Sequence, residues 1–265
     1  VHFNAARGKY VLGPPVIPVQ EVFPPLTTFN PTFELAYYRF GLETAQQWRE
    51  RLGLERNALW DRVIEHLSPL PERDGLYLAT ESFPQMWEQA RSPECSDEHT
   101  APACWNRDHP SFLMAFGLLP RREVDRETMR RTLQAVERDW DLRQTWGWDF
   151  PMIAMTAARL HEPETALDFL FHDAKNNQFG VTGMTPRVHF EAHADHFVPN
   201  APSSKSGPDG PGYRRAAETY FPSNGSLLLA IGLMAAGWDG EAEPAPGFPK
   251  NGRWVVRAEG LRPLP

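Results

Sequence analysis

Glu21 stands alone between two proline-rich apolar runs in GPPVIPVQEVFPP, residues 13 to 25. Ringed by Val16, Ile17, Val19, Val22, Phe23 and Pro24, a carboxyl group would be stripped of water. That disfavours its ionised form, as a proton donor requires, whereas the same glutamate in an open loop would do no chemistry. A second carboxylate, Asp149, follows two tryptophans in WGWDFP at the mouth of an apolar helix. It can activate a water molecule, or simply cap the helix with Pro151 in the first turn. Trp146 and Trp148 offer flat faces for stacking on a sugar ring, as does Tyr37, unless they are core residues. Glu34 lies inside an apolar helix, where a charge must be paired or functional, and Arg39 and Glu43 are one turn apart, as a structural couple would be.

Other motifs carry less. Cys95 and Cys104 lie in a loop-like stretch and read as two free thiols or a local disulfide. With His99 and His109 nearby a zinc site is conceivable, but the paired CxxC spacing is missing. His189, His193 and His196 have some metal-like spacing without an element to converge them, and Glu81 and Glu191 are loop carboxylates. Asn224 heads FPSNGSLLLAIGLM, where amides at a helix start could face a hydroxyl or merely be capped; its NGS is formally a glycosylation acceptor. No Gly-rich phosphate loop, GxSxG or HExxH is present, and no metal or cofactor is expected.

These residues need elements to position them. FELAYYRFGLETAQQWRERL (33 to 52) is apolar on most of its faces, and ERNALWDRVIEHLSPLP after it carries one apolar stripe and ends at Pro69 and Pro71. The pair recurs as PSFLMAFGLLP with REVDRETMRRTLQAVERDW, and as FPMIAMTAARL with PETALDFLFHD. A fourth apolar helix, residues 225 to 237, has no amphipathic successor. Apolar helices alternating with amphipathic ones suit a double ring of helical hairpins. The expectation is an all-α chain, a single domain over residues 1 to 265, forming the C-terminal part of an (α/α)6 toroid. Strand material is minor, at 75 to 80 and in a ribbon at 252 to 261, and 199 to 212 reads as a loop.

The 265 residues with 41% hydrophobic content suffice for a large core. A net charge of -7 argues against nucleic acid and anionic membranes as partners, and the longest apolar run is too short to span a bilayer. The chain opens VHFNAARG without Met, so a leader would lie upstream.

The stretches LGPPVIPVQE, FNPTFELAYYRFGLETAQQWRERLGL, WGWDFPMIAMTAARL and YFPSNGSLLLAIGLMAAGWDG resemble the six-hairpin glycosidase superfamily, which includes glycoside hydrolases of families 65 and 95. The resemblance runs from about residue 10 to 260. It implies an inverting hydrolysis of an O-glycosidic bond in an oligo- or polysaccharide, and a loop disulfide would fit an extracellular or secreted protein. Glu21 matches the catalytic glutamate that follows a Pro-rich stretch, Asn30 the next polar position, and PSNGSLL the segment opening the last inner helix. The base of that segment is replaced here by Pro222 and Ser223, so Asp149 takes the role by position alone. Asn30, Glu34, Tyr37, Trp146, Trp148 and Asn224 would hold the sugar, and a missing N-terminal segment would complete the barrel. The rival readings are a phosphorylase or lyase, with Arg187 and His189 as anion ligands, and a non-catalytic carbohydrate-binding or structural toroid.

Overall fold

A computed structural model describes residues 1–96, 104–120, 123–190 and 213–264. His99, Glu191, His193, His196 and the loop expected at 199 to 212 lie outside the described residues. The chain is mostly helical, 43% helix and 11% strand, with short antiparallel strand pairs. In order it forms β1 (His2–Asn4), β2 (Lys9–Val11), α1 (Thr32–Arg51), α2 (Ala58–His66), β3 (Glu72–Arg73) and β4 (Leu76–Tyr77). Next come α3 (Met86–Ala90), α4 (Pro93–Ser96), α5 (Met114–Gly117), α6 (Arg126–Asp139), α7 (Asp149–Arg159) and α8 (Pro163–Leu170). The chain continues through β5 (Thr185–Phe190), β6 (Tyr213–Tyr220) and α9 (Pro222–Ala236). No described helix is long and apolar enough to cross a membrane.

The chain divides into two compact units, residues 1–86 with 111–132, and residues 87–110 with 133–265. In the first, α1 packs against α2 and α5. Leu35, Val63 and Leu67 form a buried cluster, with Tyr10, Leu12, Tyr38, Leu42 and Leu70 against it. The side chain of Asn57 caps α2 by accepting from Leu59 N at 3.0 Å, while the buried Gln46 of α1 holds the Asn57 backbone from both sides. Helix α1 has no side-chain cap; Thr32 N donates to Ala79 O at 3.0 Å and Thr32 Oγ1 to Leu78 O. The helix is less covered than its sequence suggests: Tyr37 and Trp48 are each 55% exposed. Arg39 pairs with Glu123 from beyond the helix, and burial pushes the Glu123 carboxyl up against the pull of Arg39.

In the second unit, α7 packs against α8 and α9, and β5 pairs with β6 through an irregular register at Thr185 to Val188. Every residue of α7 is buried. Cys95 and Cys104 form a disulfide, which resolves the two readings of their spacing. Helix α9 starts one turn earlier than expected, at Pro222. Residues 252 to 261 do not form the expected ribbon; the nearby pairing is an isolated bridge between Trp238 and Leu264. Asn251 to Leu261 is largely exposed, so alternation alone could not recruit a partner strand. Residues 75 to 80 likewise contribute only the two-residue β4, because Leu78 and Ala79 spend their carbonyls on Thr32.

Candidate functional site

The connection into α7 is built around Asp149. Trp148, not Asp149, is the N-cap residue, so Asp149 is the first residue of the helix and its carboxylate is free to turn back on the loop. One oxygen, Oδ2, accepts from Trp146 N at 2.8 Å. The other, Oδ1, lies 2.9 Å from His109 Nδ1. His109 Nε2 in turn is 3.4 Å from Asp108 Oδ1, which also accepts from the His109 backbone N–H at 2.8 Å. An imidazole thus sits between two carboxylates, with its ring 4.6 Å from that of Trp148 and 5.5 Å from that of Trp146.

Two further groups close on the cluster from the ribbon. Arg187 on β5 stacks its guanidinium 4.0 Å above the Trp146 ring and donates to Gln144 O and Val188 O, both at 3.1 Å. Tyr220, at the end of β6, places its ring 5.1 Å from Trp146. Asn176, fully buried, sets this register: its Nδ2 donates to Thr145 O and Val188 O while its Oδ1 accepts from Val188 N at 2.6 Å. The loop of Trp146 and the strand of Arg187 are therefore tied by one side chain.

Burial dominates the electrostatics, and the pairings decide its outcome. For His109 burial works against the charged ring, but the charge and hydrogen bond of Asp149, with Asp108 behind, outweigh it and raise its affinity for a proton. Burial pushes the Asp108 carboxyl up, with His109 pulling it back. Tyr220 is pushed far up by burial and by the negative charge of Asp149, so its hydroxyl stays a donor across the working pH range. The cluster therefore combines an imidazole that holds its proton more tightly than usual, a carboxylate whose proton affinity burial raises, and three aromatic faces.

No protein-family model matches the chain, and neither does any curated protein. Its chemistry rests on the residues themselves.

Trp146, Trp148 and Asp149 are brought together as the sequence suggested, but Asp149 is completely buried with both oxygens engaged. It cannot itself reach a water molecule in this arrangement, which corrects its expected role as the base. Asn224 lies inside the first turn of α9, where its Nδ2 donates to Gly183 O at 2.9 Å, so its amide clasps a turn. The other candidates lie in the first unit. Asn30 is fully buried at a φ of 48°, with Leu12 N on its Oδ1 at 2.9 Å and its Nδ2 on Glu81 Oε2 at 2.6 Å, so it knots the loop and has no free edge for a hydroxyl. Glu34 accepts from Val19 N at 2.6 Å, and burial pushes its carboxyl up against that bond. This anchors the loop of Glu21 to α1 through Oε1 of Glu34. Tyr37 is exposed beside the rings of Phe33 and Phe40. Glu21 is exposed, as are Ile17, Val22 and Leu26, because the proline-stiffened loop turns these apolar side chains outward. The apolar surround expected of its neighbours is not formed.

Asp108 and Tyr220 escaped the sequence reading, and His109 entered it only as a conceivable zinc ligand beside the two cysteines. The available signal was a repeated pattern, since Asp108-His109-Pro110 precedes one apolar helix as Asp149-Phe150-Pro151 opens another. Among the described residues no group of three or more His, Cys, Asp or Glu side chains could hold a metal ion.

Gly147 is the tightest point of this loop. A Cβ there would lie 2.2 Å from Thr185 Oγ1, 2.3 Å from Asn176 O and 2.4 Å from Ser223 Oγ. Gly147→Ala should cost about 3 kcal/mol or more, at the upper end of overpacking penalties because two of the obstacles are held in a 2.6 Å hydrogen bond and the third is backbone. Chemical denaturation of the variant checks this; a loss under about 1 kcal/mol would show that the loop yields to the added methyl group.

Proposed function

We propose that the chain is part of an α/α toroid that hydrolyses O-glycosidic bonds, with a secreted protein's disulfide holding one of its site loops. The observation that carries this reading is the convergence of Asp108 and His109, Trp146, Trp148 and Asp149, and Arg187 and Tyr220. Aromatic faces beside fixed charged donors and acceptors are what a sugar ring calls for: stacking for its C–H faces and hydrogen bonds for its hydroxyls. Within this reading Asp108 takes the water-activating role first given to Asp149, since its raised proton affinity suits a base. Asp149 is a positioning residue that favours the protonated form of His109 and orients its ring. Glu21 remains the proton donor by its resemblance in sequence.

The toroid is supported by the helix pairs α1 with α2 and α7 with α8, each an apolar helix backed by its successor. Helix α9 is apolar throughout, yet Leu228 is 64% exposed, and Leu229 and Ile231 are exposed beside it. Further helices of the same barrel, supplied N-terminal to these residues, would cover that face. The rival reading, a carbohydrate-binding toroid without catalysis, is favoured by the full burial of Asp149. A screen of plant and fungal oligosaccharides, with product anomers followed by NMR, separates the two. Release of sugar with inverted configuration is the expected result, and binding without release would establish the rival.

A further inference from the structure

The segment that carries Asp108 and His109 also borders a second cleft in the same unit, about 560 Å3 in volume. Arg91, Arg138, Arg143, Asp139, Asp141 and His172 lie around it. The cleft shares structure with the candidate site. Trp140 Nε1, on its wall, donates to Asp108 O at 2.7 Å, and Asn106 Nδ2 donates to Asp139 O at 2.8 Å.

Its chemistry is polar but balanced. Asp139 is nearly buried and accepts from Arg91 Nε and from Arg138 Nε and Nη2, each at 2.7 Å, which holds its charge in place. Asp141 is nearly buried too, and faces Arg143 Nε at 3.3 Å and Arg107 Nε at 3.5 Å. The guanidinium groups of Arg138 and Arg143 are more than half exposed, so donors fixed by carboxylates meet the solvent in the cleft. His172 Nδ1 accepts from Ala174 N at 3.1 Å, which leaves Nε2–H as a donor, and burial lowers its affinity for a second proton. The amide oxygen of Asn106, buried in the wall, has no hydrogen-bond partner among the described residues.

We propose that this cleft is a second ligand site, taking an uncharged saccharide. A volume of this size falls in the range of small-molecule pockets and holds a few sugar rings. The lining argues against an ion: Arg91, Arg138 and Arg143 are offset by Glu137, Asp139, Asp141 and Asp173, so neither an anion nor a cation gains a net field. What remains is a dense array of oriented donors with interspersed acceptors, which vicinal hydroxyls satisfy and apolar ligands do not. The choice of a saccharide among polyols rests on the glycoside reading of the neighbouring site.

Calorimetric titration of the protein with cellotetraose, xylotetraose and maltotetraose tests the proposal. At least one of them should bind at two sites. The double variant Arg138→Ala/Arg143→Ala, which alters exposed side chains, should weaken one site tenfold or more and leave hydrolysis of the shortest substrate unchanged. Trp148→Ala should remove the other. A single event lost only in Trp148→Ala overturns the cleft and leaves the hydrolase reading standing. An arginine-dependent event without any hydrolysis sustains the cleft and removes the hydrolase. Tighter arginine-dependent binding of trigalacturonate than of every neutral probe would overturn the uncharged ligand.

Discussion

Asp149→Asn should lower turnover by roughly 10²- to 10⁴-fold while leaving the protein folded at room temperature. The substitution keeps the size of the side chain and removes its charge. An amide can offer an acceptor to only one of the two donors that Asp149 serves, His109 Nδ1–H or Trp146 N–H, and its NH2 would face the other. The cost to stability is bounded by that of breaking a buried pair, about 3–5 kcal/mol, and is relieved in part because the ring can give up its proton. Activity is lost because the imidazole is deprived of the carboxylate that favours its protonated form and is no longer held.

The pH dependence separates this account from simple destabilisation. His109 binds a proton more tightly in the folded protein than in the unfolded chain, where its value is about 6.5. Its stabilising contribution is therefore complete below about pH 6.5 and is lost as pH rises through the raised folded value. Asp108 acts with the same sign from a lower starting point, since its unfolded value lies in the ordinary carboxylate range and burial raises it in the folded protein. Thermal unfolding of the parent should fall in midpoint above pH 6.5, and Asp149→Asn should flatten that fall. An unchanged slope with unchanged turnover would show that Asp149 merely fills space.

The helices were legible where a physical constraint was local. Residues 33 to 52 read as a helix and α1 spans Thr32–Arg51, because long-chain and aromatic residues recur at helical spacing with no proline inside. Proline also gave the right end for α2, which stops at His66 ahead of Pro69. The start of α9 was missed by a turn because Pro222 is welcome in a first turn, while Asn224 and Gly225 look like a cap. The failures at the site are of another kind. Trp146, Trp148 and Asp149 could be found because they are neighbours in sequence, whereas His109 is 40 positions from its partner Asp149, and no periodicity encodes that pairing. Likewise Glu34 was read as a ligand of sugar because a charge in an apolar helix must find a partner, Asn30 because of the resemblance, and Asn224 because it heads a helix. The partners turned out to be Val19 N, Leu12 N with Glu81, and Gly183 O, all backbone or loop groups that composition does not reveal. Burial of a loop carboxylate depends on which way its neighbours turn, and hydrophobicity alone placed Glu21 inside when it is outside.

Glu21→Gln should abolish turnover of glycosides with poor leaving groups, by about 10³-fold or more, and should spare substrates whose leaving group departs without a proton. The asymmetry follows from chemistry. An alkoxide leaving from a natural glycoside needs protonation as the bond breaks, but an activated phenolate does not, so removal of the acid hurts the first far more than the second. Because Glu21 is exposed in the free protein, the glutamine disturbs no buried packing. Folding stability should therefore stay within about 0.5 kcal/mol of the parent, as for surface substitutions generally. Exclusion of water from this carboxyl then falls to the bound sugar, and binding in the variant should be close to that of the parent. Steady-state rates on a natural oligosaccharide and on a dinitrophenyl glycoside of the same sugar give the comparison. Equal rates for parent and variant on both would remove Glu21 from the mechanism. An equal loss on both, with weakened binding, would make it a ligand of the sugar; only the leaving-group dependence identifies a proton donor, because only that step of the reaction distinguishes the two substrates.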